Sequence, residues 1–221
     1  MMWAMSILTG REIAAAGLVD WTLLGAGLQT RLLTRDFATG LRLVARIGAA
    51  AETADHHPDL DLRFAHLDLR LTSHDVGGVT RRDLSLAGTI SAMAAAEGVV
   101  AAPHAVTLLE VALDTPDLEA VLPFWQAVLG MREVRAPGSG PELRDDALPT
   151  LWFQRSGKQE PRQRFHYDLW VAPEVVQDRI AAATSAGGVL VNDAHAPAFW
   201  VLADADGNEV CLCTWQDRDP V

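Results

Sequence analysis

The sequence predicts an α+β protein made of two domains, and three observations carry that reading. The chain has 221 residues, 49% of them hydrophobic and 21% charged, enough apolar material for two cores in domains of about 100 residues each. Over the first hundred residues, segments of helical period alternate with short strand-like segments in the order helix, two strands, helix, one or two strands, helix. That order suits an antiparallel sheet with helices on one face. Beyond residue 105 a strand-helix-strand order occurs twice at a spacing of about 50 residues, the mark of an internal duplication.

The first helix is expected from Thr9 to Leu18, with Thr9 as cap and Glu12 as its capping-box partner. Trp21–Leu24 and Leu28–Leu33, joined by Gly25-Ala26-Gly27, read as a hairpin. Asp36 is a candidate cap for a helix carrying Phe37, Leu41, Leu43, Val44, Ile47 and Gly48, which runs to about Asp55 and stops at Pro58. Residues 62–72 alternate, with Ala65, Leu67, Leu69 and Leu71 on the apolar parity, as a half-buried strand does. Gly77-Gly78 is a break, and Thr80 caps a helix to about Ala96. Gly98 and Pro103 mark a connector, so the domains are placed at 1–98 and 106–221 with a linker at 99–105.

In the second half, strands are expected at Val106–Leu113, Met131–Arg135, Thr150–Gln154, Phe165–Val171, Val189–Asn192, Phe199–Ala203 and Glu209–Cys213. Helices are expected from Thr115 or Asp117 to Leu129, ended by Gly130, and over Pro173–Ala186. Pro137–Pro149 reads as a loop with room for one short strand, and Asp206-Gly207-Asn208 as a turn.

The net charge of −11 argues against a nucleic-acid surface, which needs clustered Lys and Arg. The two cysteines, Cys211 and Cys213, are too close in sequence on one strand to bridge readily. The first ten residues lack the features of a signal peptide, and no apolar run reaches transmembrane length. A cytoplasmic protein with no membrane partner is the expectation.

The chemistry concentrates between Glu52 and Asp83. Four of the seven histidines lie here: His56 and His57 just past a helix end, His66 within the alternating segment, and His74 in a loop beyond a strand. Imidazoles can both donate and accept protons near neutral pH, so two of them flanking a bound ring can serve as acid and base. Taken singly, each is as easily a surface or capping residue. Asp83, three positions after Thr80, fits the N3 place of a capping box. Glu52, one turn before His56, can orient that ring or face solvent.

The order and spacing Glu52, His56-His57-Pro58, Phe64, His74, Asp83 resembles the signature of the pterin-4a-carbinolamine dehydratase family, over about residues 5–97. Leu60 departs from the Trp the family often has two residues after the Pro. The resemblance implies a metal-free dehydration of 4a-hydroxytetrahydropterin to quinonoid dihydropterin. It makes His56 and His74 the acid/base pair and His57 a positioning residue. Asp55, Thr72, Ser73 and Asp75, with Glu52, would line the substrate. It also implies a homo-oligomer, a dimer or tetramer.

Residues 105–215 are similar to the glyoxalase/bleomycin-resistance (vicinal oxygen chelate) family. The likeness rests on Asp117, Phe124-Trp125, Leu129-Gly130, Leu151-Trp152-Phe153-Gln154, His166-Tyr167-Asp168-Leu169 and Asp206-Gly207-Asn208-Glu209. It implies a duplicated βαβββ fold and, in metal-using members, ligands from four strands. The matching positions are Glu110, Gln154, His166 and Cys211, where Cys211 stands in place of a Glu and suits a softer divalent metal. Two other functional classes follow. One is a ligand-binding or regulatory oligomerisation protein without catalysis. The other is a metal-dependent lyase or dioxygenase seated in the second domain.

Overall fold

The computed structural model describes residues 6–135, 140–145, 148–156, 165–203 and 209–218. The chain divides into two compact units, with the main break between Thr107 and Leu108.

The first unit opens with α1 (Gly10–Ala15), held by the expected capping box: the Glu12 amide donates to Thr9 Oγ1 at 3.2 Å, and the Thr9 amide to the Glu12 carboxylate at 2.8 Å. Strands β1 (Thr22–Leu24) and β2 (Gly27–Leu33) pair antiparallel. Helix α2 (Phe37–Ala54) starts at Asp36, whose carboxylate accepts the Thr39 amide at 2.7 Å. The long alternating segment is a hairpin rather than one strand, with β3 (Asp59–Leu62) turning back antiparallel on β4 (Leu67–Leu71). Residues 62–72 keep their parity through the turn, so alternation alone does not reveal it. Phe64, at that turn, is 75% exposed. Helix α3 (Arg81–Ala96) follows, and β5 (Val100–Ala101) adds to β2. The expected linker is thus part of the first unit: Val100 and Ala101 pair with Leu33 and Leu32, and the Ala102 amide donates to the Arg31 carbonyl at 2.7 Å. A two-residue strand is too short to leave a periodic signal.

The sheet order is β1-β2-β4-β3, with β5 paired to β2. One face carries Leu28, Leu32, Leu67, Leu69 and Leu71, packed with Leu43 and Ile47 of α2 and Leu86, Ala87 and Ile90 of α3. The helices therefore lie on one face, as the sequence predicts, and each fully buried Leu contributes about 2 kcal/mol of transfer free energy. On the opposite parity Arg31 and Asp68 form a two-pronged ion pair at 2.6 Å for each bond.

The second unit is a duplication. Its first half runs β6 (Leu108–Thr115), α4 (Leu118–Leu129), β7 (Arg132–Arg135), β8 (Pro141–Arg144) and β9 (Thr150–Arg155). The second runs β10 (Phe165–Trp170), α5 (Pro173–Ser185), β11 (Val189–Asn192), β12 (Phe199–Ala203) and β13 (Glu209–Cys213). The strand order β11-β12-β13-β10-β6-β9-β8-β7 sets the two βαβββ halves side by side, joined by the antiparallel pair β6 and β10. Strand β8 occupies the segment expected to be mostly loop. The expected turn at 206–208 and most of the polar run 155–164 lie outside the described residues. Among the described residues, no helix is long and apolar enough to cross a membrane.

Each half buries one parity of its strands under its own helix. Leu113, Leu143, Leu151, Val111 and Phe153 pack with Val121 and Trp125 of α4. Val171, Leu202, Leu212, Leu169 and Val210 pack with Val176 and Ile180 of α5. The other parity, carrying Glu110, Ala112, Trp152, His166, Asp168, Trp170 and Cys211, faces away from the helices.

Candidate functional site

The first cluster forms where α2 ends. Asp55 takes a left-handed conformation, φ 47° and ψ 44°, which Asp tolerates better than most residues. The His56 amide then reaches back to the Ala51 carbonyl at 3.1 Å, the long back-bond of a helix stop. This turns the His56 side chain inward, where it is only 6% exposed. Its Nε2 lies 2.7 Å from Oδ1 of Asp83, a residue with no exposed surface.

Asp83 has two tasks. It sits at N3 of α3 and closes the capping box, its Oδ2 accepting the Thr80 amide at 2.7 Å. The same oxygen accepts the Ser73 hydroxyl at 2.7 Å, and Ser73 and Thr80 share a further hydroxyl contact at 2.8 Å. A carboxylate only accepts hydrogen bonds, so Nε2 of His56 carries the proton of that bond and Nδ1 is the lone-pair nitrogen of the neutral ring. The sequence reading of Asp83 as a cap holds, but the bond to His56 was not legible from spacing.

The loop after β4 is fixed from both ends. The Ser73 amide donates to the Gly78 carbonyl at 3.0 Å and the Gly77 amide to the Ser73 carbonyl at 2.8 Å, with Gly77 at φ +73°. His74 and Asp75 occupy this turn and are exposed. Arg82 clamps Asp75, and that hydrogen bond holds the Asp75 carboxyl below its ordinary value, with the Arg82 charge adding to the effect.

Several expected lining residues have other partners. Glu52 contacts His57, not His56: Oε1 lies 3.1 Å from Nε2 across an exposed pair. His56 turns inward after the left-handed residue, whereas His57 stays outside near the helix surface that carries Glu52. Thr72 is buried and donates to the Leu71 and Ala26 carbonyls at 2.9 and 3.2 Å. Asp55 is the helix stop. His57 and His74 are the two exposed imidazoles of the cluster.

On the second unit's open face, strand register decides which expected metal positions can meet. Glu110 pairs with Asp168, and Asp168 with Cys211, in one row across β6, β10 and β13. Gln154 pairs with Asp114, whereas Glu110 pairs with Thr150. Gln154 is therefore four residues off the row, about 13 Å along the strand. Parity alone cannot distinguish residues on one face of a strand, so spacing passed over Asp168. His166, Asp168 and Cys211 have ligand atoms within 4.8 Å of one another, with His166 Nε2 3.7 Å from Asp168 Oδ1. Glu110 accepts the Trp170 indole N–H at 2.7 Å. Burial pushes its carboxyl above the ordinary value, Asp168 and Glu142 push the same way, and the Trp170 bond and Arg144 oppose them.

Comparison with known proteins matches residues 6–93 to the model of the pterin 4 alpha carbinolamine dehydratase family and residues 110–213 to that of a glyoxalase-like domain. A protein of Mycobacteroides abscessus, provisionally named pterin-4-alpha-carbinolamine dehydratase, is 42% identical over 88 residues, which are 39% of this chain and 94% of that one. A Nocardia farcinica protein of the same provisional name is 38% identical over 90 residues, 40% of this chain and 95% of its own. Among solved structures, a transcriptional coactivator/pterin dehydratase from Brucella melitensis aligns at 28% identity and a TM-score of 0.39, covering 40% of this chain and 99% of its own.

Proposed function

Because the chain belongs, through residues 6–93, to the pterin 4 alpha carbinolamine dehydratase family and continues into a glyoxalase-like domain, we propose that it is a hydro-lyase that dehydrates a 4a-hydroxytetrahydropterin in its first domain. The observation that carries the reading is the buried Asp83, which binds His56 on one oxygen and the Ser73–Thr80 end of the His74 loop on the other. One carboxylate thereby sets the position of His56 relative to the loop that bears His74.

The reaction breaks the C4a–O bond and removes the N5 proton, giving quinonoid dihydropterin and water. Hydroxide leaves poorly unless protonated as it departs, and N5 must lose its proton in the same event. His56, with its Nε2–H held by Asp83, has Nδ1 to take up a proton. His74, exposed on a turn pinned by Arg82 through Asp75, can deliver one to the departing oxygen. His57 contacts the substrate and orients it. No metal enters this chemistry. The assembly this reading expects is a homo-oligomer of two or four chains, which light scattering measures.

The test is the rate of 4a-hydroxytetrahydropterin dehydration in a stopped assay against the spontaneous rate. Acceleration by wild type that is lost in His74→Ala and His56→Ala supports the assignment. A folded wild type that gives no acceleration refutes it.

A further inference from the structure

We propose that the second domain binds an aliphatic monocarboxylate, of the size of a medium-chain fatty acid, in a cleft between the last turns of α5 and its sheet, with Arg179 holding the carboxylate. The cleft lies on the helix side of the sheet, opposite the face that carries Glu110, His166 and Cys211. The proposal does not rest on the dehydration reading.

The sequence of α5 creates the space. Val176, Ile180 and Ala183 follow one another at steps of four and three residues, so they share the stripe that faces the strands. Val176 and Ile180 fill the gap to Val171, Trp200, Leu202 and Leu212. The stripe then shrinks to Ala183, and the helix ends in Ala186, Gly187 and Gly188. Gly187 takes φ +98°, and the Gly188 amide returns to the Ala183 carbonyl at 3.0 Å. A Cβ on Gly188 would stand 3.0 Å from the Ala183 carbonyl oxygen and 3.2 Å from that of Ala203. The helix stop thus favours a residue with no side chain at the place where one could fill the gap. What remains is a cleft of about 660 Å3, floored by Leu169, Leu202, Val210 and Leu212 and walled by Ala183 and Gly188. In the first half of the duplication α4 sets the large Trp125 against its strands instead.

The lining selects the ligand. Clefts of about 300–1,000 Å3 suit small molecules, and aliphatic walls reward every CH2 they take from water. Leu169 and Val210 are only partly buried although they belong to the core side of the sheet, so apolar surface is left for a ligand to cover. Arg179, one turn before Ala183, is the charged residue of the lining and is itself exposed. Among the described residues no carboxylate pairs with it. A guanidinium beside an aliphatic wall suits a carboxylate that trails a hydrocarbon chain, because Arg and carboxylate match through two parallel hydrogen bonds. A cationic amphiphile would meet repulsion there, and a neutral alcohol would gain only the wall.

The test is calorimetric titration of the full chain with decanoate, kept below its micelle concentration, and with hexanoate, octanoate and decanol for comparison. The expected result is saturation at one decanoate per chain, with affinity rising about 2- to 4-fold for each CH2 added from hexanoate to decanoate. Decanol binds about 10-fold or more weakly than decanoate, the share of a charge-assisted hydrogen bond. Arg179→Gln removes that preference, and Arg179→Lys, which keeps the charge, restores part of it. Ala183→Leu fills the cleft and lowers decanoate affinity about 10-fold or more. His166→Ala, on the opposite face of the sheet, leaves it unchanged. Circular dichroism shows whether each variant is folded. If Ala183→Leu does not fold, the exposed Arg179 variants decide the matter. The proposal is overturned if folded wild type shows no saturable decanoate binding, or if decanol binds as tightly as decanoate. It is equally overturned if folded Arg179→Gln keeps the preference for the carboxylate, or if binding survives Ala183→Leu and is lost in His166→Ala.

Discussion

His56 and Asp83 stand 27 positions apart in the chain and 2.7 Å apart in space, in a pair almost sealed from water. The pair joins the C-terminal end of α2 to the first turn of α3. The Asp83 carboxylate is therefore both a helix cap and the partner of an imidazole.

Replacing Asp83 with Ala removes acceptors from His56, Ser73 and the Thr80 amide at once. Losing one member of a buried charged network costs about 3–5 kcal/mol, and urea unfolding should show that loss. Asp83→Asn retains a carbonyl acceptor for the cap and should lose less stability. It should still lower dehydration, because the carboxylate that sets the His56 tautomer is gone.

His74→Ala should leave stability within about 0.5 kcal/mol of wild type, as expected for an exposed residue outside the core. Under the proposed mechanism its turnover should fall about 10²- to 10⁴-fold, the usual share of a general acid or base. Paired melting curves and dehydration rates check both halves of the expectation.

The Asp75–Arg82 clamp carries a pH signature. The carboxyl is held below its ordinary value of 3.8 by the Arg82 hydrogen bond. A lowered folded value means that the stabilisation is fully present above 3.8 and disappears as the pH falls through the lowered value. Asp75→Asn should therefore melt below wild type at pH 6, with the gap closing toward pH 2. Melting temperatures of both proteins across that range (about 2–6) read it. A gap that widens on acidification would contradict the clamp.

Glu52 and His57 form an exposed contact, and such pairs contribute about 0–1 kcal/mol. Glu52→Gln should barely shift the urea midpoint. Its effect on dehydration should fall on KM rather than kcat, since the residue it touches is the one assigned to holding substrate. A large fall in kcat at unchanged KM would return Glu52 to the role of orienting His56.

Much of the first domain was legible before folding was considered. Thr9 with Glu12, Asp36, and Thr80 with Asp83 announce three helix starts because capping is a contact between residues three apart. Leu67, Leu69 and Leu71 announce a buried strand face because side chains alternate along a strand. The histidines make residues 52–83 the candidate place for proton chemistry by their type and spacing. The duplicated order of the second half is local information of the same kind.

What tertiary structure alone decided is everything that depends on which distant segments lie side by side. It turned His56 inward onto Asp83 and left Glu52 with His57. It split residues 59–71 into a hairpin and drew Val100–Ala101 into the first sheet. It also aligned Asp168 rather than Gln154 with Glu110 and Cys211. The physical reason is common to all of these. Periodicity specifies the face on which a side chain lies, but register and chain reversal specify its neighbours, and those are set by hydrogen bonding and packing between strands remote in sequence.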